Sequence, residues 1–166
     1  MADLAPACGD RVPFLAFLPN DWEDGALATL FTKIINGELP AHFVWKDDLC
    51  VGFLSIAPLQ PGHTLVVPRV EVDHWLDLEP SVVSHLALVS QKIGHAQMRV
   101  YDPVRIGTTV LGLEVPHMHL HVVPIWSPTD LDFHNAKSGT SQQELSIEAD
   151  KIRDALRALG HSEVSD

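Results

Sequence analysis

Apolar positions fall into blocks whose period changes along the chain, and the period predicts the elements. Ala26 to Ile35 is a short apolar stretch closed by Asn36-Gly37, the composition of a helix end. Pro40 then forces an extended exit. Phe43-Val44-Trp45 and Cys50 to Leu54 read as two strands around the polar turn Lys46-Asp47-Asp48. A rigid loop with Pro58, Pro61 and Gly62 leads to Thr64–Val67, an almost wholly apolar strand ended by Pro68. Glu79-Pro80 opens the clearest helix, whose Val82, Leu86, Val89, Ile93 and Ala96 make one apolar stripe. Val104 to Val110 and Met118 to Ile125 read as strands, and Ser127 to Gly139 as loop. Ser141-Gln142-Gln143-Glu144 matches a capping box. It opens a last helix supported by Ile147, Ile152, Leu156 and Leu159 and stopped by Gly160. The order predicts an α+β domain: an antiparallel sheet of about five strands with the helices on one side.

Composition narrows the function. The 166 residues fit one domain, and a 46% hydrophobic fraction is enough for a packed core. The formal net charge of −11 repels a phosphate backbone, so no nucleic acid partner is expected. A small anionic substrate then needs a local site of His, Arg, hydroxyl and backbone N–H groups. Cys8 and Cys50 are far apart and in no CxxC pair, which argues against a thiolate zinc cluster and a disulfide framework and for a cytoplasmic setting. No apolar run is long enough for a bilayer, and the first residues carry acids where a secretion signal carries bases. Residues 1–26, with an apolar patch from Val12 to Leu18, read as a flexible extension.

The segment Pro116-His117-Met118-His119-Leu120-His121-Val122-Val123-Pro124 carries the chemistry. Strand side chains alternate faces, so His117, His119 and His121 share one face while Met118, Leu120 and Val122 point into a core. Surface histidines are the plainest reading. A metal site is the second: same-face neighbours lie roughly 6.6 Å apart and the outer pair roughly 13 Å. Such a site therefore needs further ligands, with His63, His74 and Glu114 as candidates. In the third reading the central imidazole is a nucleophile toward phosphorus, and its neighbours serve as donors and proton carriers. That reading uses all three positions without bending the strand.

With its His-x-His-x-His-x-x segment, the chain resembles the histidine-triad (HIT) family. The likeness extends to Phe31–Pro40, similar to the family's opening helix and turn, and to Phe53–Pro68, similar to its central strand–loop–strand block. It spans roughly residues 28 to 126. The resemblance implies a HIT-like fold at 27–136, with residues 137–166 as a C-terminal helical extension. It implies that His119 takes a nucleoside monophosphate from a phosphoramidate or phosphoanhydride, that His117 and His121 orient it, contact phosphate and relay protons, and that His63 is a supporting fourth histidine. The family's apolar nucleoside pocket maps onto Phe31, Ile34, Leu39, Phe53 and Ile56. Ser55 stands where the family commonly has a ribose-binding acid. Gly112-Leu113-Glu114 stands where it often has Gly-Gln-Ser/Thr, and Thr108 or Thr109 replaces its usual Asn. Glu114 is read as a surface partner of Arg105 or as a selector of an amine-bearing leaving group. The nucleotide expected is adenosine- or guanosine-based. No organic cofactor is implied, zinc or magnesium is left open, and a homodimer joined across the long helix is expected.

Overall fold

The computed structural model describes residues 28–165, so the proposed extension 1–26, with Cys8 and the Val12–Leu18 patch, lies outside the described residues. The elements run α1 (Leu30–Ile35), β1 (Phe43–Lys46), β2 (Cys50–Leu54), β3 (Thr64–Pro68), α2 (Pro80–Tyr101), β4 (Arg105–Thr109), β5 (Leu120–Ile125) and α3 (Gln142–Ala158). Five strands form one antiparallel sheet in the order β1-β2-β3-β5-β4.

The two faces of the sheet bury different partners. Trp45, Cys50, Leu54, Val66 and Val122 face α2 and α3, meeting Leu86, Val89, Ile93 and Ala96 of α2 and Leu145, Ala149, Ile152 and Leu156 of α3. Val51, Phe53, Leu65 and Val67 point the other way and pack against Phe31 and Ile34 of α1. Helices therefore cover both faces, against the one-sided arrangement expected. The alternation of a strand buried on both sides leaves an apolar face over, and the six residues of α1 cover part of it. Helix α1 is also shorter than predicted. Thr29 is its N-cap, with its side chain accepting from the Thr32 N–H, so the helical turn begins at Leu30.

Helix α3 opens on the predicted Ser141–Glu144 capping box. Its buried stripe is Leu145, Ala149, Ile152 and Leu156, whereas Ile147, predicted as core, is 47% exposed because it sits on the opposite side of the turn. After α3 the chain returns to the sheet edge: Lys46 N–H donates to Glu163 O, and Trp45 bridges to Val164.

Gly62 shows why the loop before β3 reads as it does. Its φ is +81°, and a Cβ there would lie 2.4 Å from the Tyr101 ring, so only glycine fits. Behind it, the Gln97 amide of α2 donates to Gly62 O at 2.9 Å and Val122 O at 3.1 Å.

Candidate active site

Strand β5 is shorter than expected and starts at Leu120, so His117, Met118 and His119 lie on the approach to it. Pro116 has no N–H, His117 N–H turns back onto Val115 O, and Met118 N–H donates to Val72 O at 2.7 Å instead of joining the ladder. The alternation survives nonetheless. Met118, Leu120 and Val122 enter the α2-side core, and His121, opposite Leu65, faces the α1 side. His63, two residues before Leu65, joins it there. The histidine face is not a solvent face: His63, His117, His119 and His121 are all buried.

Hydrogen bonds fix the protons on these rings. The Leu59 N–H donates to His63 Nδ1 at 3.1 Å, so His63 carries its proton on Nε2. That nitrogen lies 2.9 Å from His121 Nδ1 and donates to it. His121 therefore holds its own proton on Nε2. His119 Nδ1 lies 2.8 Å from the backbone oxygen of His117, which only accepts, so Nδ1 is protonated and Nε2 keeps a bare lone pair. That Nε2 takes no hydrogen-bond partner among the described residues and is not among the sealed, unsatisfied atoms. His117 Nε2 donates to Pro68 O at 2.9 Å, and its Nδ1 meets Thr29 Oγ1 at 2.9 Å. Both nitrogens of His117 are engaged by the protein and its ring is wholly buried. Its carbonyl orients His119.

Burial dominates the titration of the cluster. It lowers His63 to about 3, helped by the charge of His119, and His121 to about 2, helped by His63 and His119. His119 is also lowered, by burial first, against the opposing pull of the His117 carbonyl. His117 is lowered by burial, opposed by Pro68 and Glu71. All four rings are neutral near pH 7. Among the described residues the cluster then offers one free lone pair, on His119, and one free N–H, on His121. Metal chelation needs several lone pairs and a different arrangement of protons.

Aromatic rings wall the histidines on two sides. Phe31 of α1 meets His119 edge-to-face at 4.9 Å and Phe53 at 5.6 Å. Phe133, in a 3-10 turn at Phe133–Asn135, meets His121 at 4.9 Å. Ile34 is buried and Leu39 half-buried in the same cluster. Ser55 N–H donates to His63 O, and its Oγ accepts from Ala57 N–H, so it is a turn residue beside His63. Ile56 is 48% exposed. Gly112 is left-handed at φ +68°, in the loop that carries exposed Glu114. Arg105 donates to Val104 O, and no ion pair joins it to Glu114 among the described residues. Thr108 is not brought to the histidines: it pairs with Val122 and shares the α2-side face, whereas Thr109 pairs with His121. His74 caps a separate 3-10 turn.

Sequence reasoning missed Thr29, Thr32, Glu71 and Phe133. Only Thr29 left a local signal, as a capping residue ahead of an apolar turn. Elsewhere, Asp47, Cys50 and His85 converge, but Asp47 accepts from Trp45 Nε1, His85 Nε2 and the N–H groups of Leu49 and Cys50. Burial pushes the Cys50 thiol up, with Asp47 adding to it, so the trio is a hydrogen-bonded clasp on the β1–β2 turn.

Residues 36–126 match the HIT domain. The chain belongs to the HIT family. Among HIT relatives, an uncharacterized HIT-like protein of Borreliella burgdorferi is 33% identical over 132 residues, covering 75% of this chain and 91% of its own. A zinc-bound histidine triad family protein from Mycobacterium smegmatis shares the fold with a TM-score of 0.69 and 27% identity, over 80% of this chain and 96% of that one. An adenylylsulfatase of Arabidopsis thaliana is 27% identical over 127 residues, 70% of this chain and 64% of its own. Among the described residues no helix is long and apolar enough to cross a membrane.

Proposed function

We propose that this HIT protein is a nucleotidyl hydrolase or transferase that cleaves a nucleoside phosphoramidate or mixed phosphoanhydride at the α-phosphorus through a covalent nucleotidyl-His119 adduct. One observation carries the reading: the Nδ1 proton of His119 is held by the His117 carbonyl, which leaves Nε2 a lone pair with no competing partner among the described residues. In the first step Nε2 forms a bond to phosphorus and the bond to the leaving group breaks. The leaving group departs with the electron pair and, where it is an amine, takes a proton from solvent. The Nε2–H of His121 donates to the phosphoryl oxygens as their charge grows. In the second step water forms a P–O bond as the P–N bond breaks, its proton passes to solvent, and the nucleoside monophosphate and the His119 lone pair are both regenerated. An acceptor other than water makes the same step a transfer.

An adenosine- or guanosine-based substrate would set its base against Phe31, Ile34 and Phe53. The adenylylsulfatase relative supports a mixed anhydride as one substrate class. Rapid quench with labelled adenylyl phosphoramidate and adenylyl sulfate, then mass spectrometry of the peptide holding residues 117–121, is expected to find one nucleotidyl group on His119. His119→Ala is expected to lose the adduct and turnover. Turnover retained in His119→Ala sinks the reading, and nucleotide binding without any adduct favours a binding protein with little turnover.

A homodimer belongs to the same reading. The groove between α2 and β4, about 350 Å³, is lined by Gly94, by apolar Ala87, Met98, Ile106 and Leu120, by polar Gln91, His95 and Thr108, and by Ser90, whose buried hydroxyl has no partner among the described residues. Strand β4 is the sheet edge beside it.

A further inference from the structure

Segment 68–72, leaving β3, cradles residues 117 and 118. Pro68 O accepts from the His117 ring and Val72 O from the Met118 N–H. Between them, Glu71 reaches across to α1. Its Oε2 accepts from the Thr29 N–H at 3.0 Å, lies 3.1 Å from Thr29 Oγ1, and accepts from the hydroxyl of Thr32. Thr29 Oγ1 is in turn 2.9 Å from His117 Nδ1.

Donor and acceptor counting gives this network one direction. His117 carries its proton on Nε2, bound to Pro68 O, so its Nδ1 must accept. Two hydroxyls face it, Thr29 Oγ1 at 2.9 Å and Thr32 Oγ1 at 3.4 Å, and the nearer, Thr29, is the donor. That hydroxyl has a single proton, so Glu71 is satisfied by the Thr29 N–H and the Thr32 hydroxyl. Thr29 Oγ1 accepts from the Thr32 N–H at 3.2 Å. Every proton then has one place.

We propose that Glu71 is a positioning residue for catalysis: through Thr29 and Thr32 it locks the His117 ring, and with it the backbone carbonyl that holds His119 in its reactive tautomer. The clamp also pins the start of α1, and so the Phe31 ring that rests against His119. Glu71 touches no reacting atom. It acts by removing rotational freedom from a residue whose carbonyl must stay 2.8 Å from His119 Nδ1. The inference deepens the reading of His119 as nucleophile and rests on it for its kinetic consequence, but the lock itself is legible without turnover.

Two readouts test it on the full chain. Imidazole nitrogen NMR reports the tautomer and hydrogen bond of His117, and steady-state kinetics on adenylyl phosphoramidate report kcat and KM. In wild type, His117 is expected as a single neutral tautomer protonated at Nε2. Glu71→Ala and Thr29→Val are expected to shift the His117 Nδ1 resonance and to lower kcat about 10- to 100-fold, the range lost with outer-shell partners of a reactive group, with a smaller change in KM. Glu71→Gln, which keeps an acceptor for both donors, and Thr29→Ser, which keeps the hydroxyl, are expected to restore both readouts. An unshifted His117 Nδ1 in Glu71→Ala or Thr29→Val overturns the proposal. So does a Thr29→Ser variant as impaired as Thr29→Val. A wild type that shows the predicted tautomer but forms no adduct defeats the functional reading and leaves the lock standing.

Discussion

His63 and His121 are polar rings placed where water is excluded, and the consequence is a dependence of stability on pH. Their folded pKa values, about 3 and about 2, lie below the ordinary imidazole value of 6.5 because burial opposes the charged form, with neighbouring imidazoles adding to it. Between those limits the unfolded chain binds protons that the folded chain refuses. Stability therefore rises with pH across the window and is lost as pH falls from 6.5 downward. Urea midpoints are expected to drop between about pH 7 and about pH 4.5, before most exposed carboxylates titrate. A midpoint constant over that range contradicts the neutral, water-excluded pair. The same residues show how far single positions could be read. The alternation in 117–121 put the three imidazoles on one face opposite Met118, Leu120 and Val122, but it could not tell whether that face opens to solvent or is buried. Only packing shows that Phe31 and Phe133 close over them.

Helix α3 lies beyond the matched span 36–126, yet it contributes to the main core. Ile152 and Leu156 are fully buried against the sheet and α2. Ile152→Ala is expected to cost about 2–5 kcal/mol of unfolding free energy, as for other buried aliphatic truncations. Ile147→Ala, on the exposed side, is expected to stay within about 0.5 kcal/mol. Chemical denaturation of both variants checks this, and equal effects would mean that α3 does not share the core. The capping box, the start of α2 and its stripe were legible because they are local features, the stripe with a 3.6-residue period. The start of β5 was not. A strand begins where its N–H groups find a neighbour, and Met118 finds Val72 instead of a ladder partner.

For the molecule as a whole, the open quantity is its partner. Met98, which lines the groove beside β4, is 39% exposed, Leu88 on the same helix is 58% exposed, and among the described residues no strand pairs with the outer edge of β4. A second copy on this face would cover an apolar surface and an edge together. Light scattering at micromolar concentration is expected to give twice the 18.3 kDa chain mass. Gly94→Trp, which places bulk in the groove, is expected to shift it to monomer. A monomeric wild type rules the dimer out.

By itself the sequence determined what is local or periodic: the helices and strands, the two strand faces, the triad and the α+β class. Those follow from side-chain spacing and turn residues, which act over a few positions. The tertiary structure decided which groups meet across long separations: Glu71 with Thr29, His63 with His121, α1 on one face of the sheet and α3 on the other. Proton positions in a buried cluster depend on every neighbour within hydrogen-bond reach. Leu59 and His117 are close in sequence to the rings they orient, but the pairs His63–His121, His117–Pro68 and His117–Thr29 lie 58, 49 and 88 residues apart, distances over which no local pattern carries information.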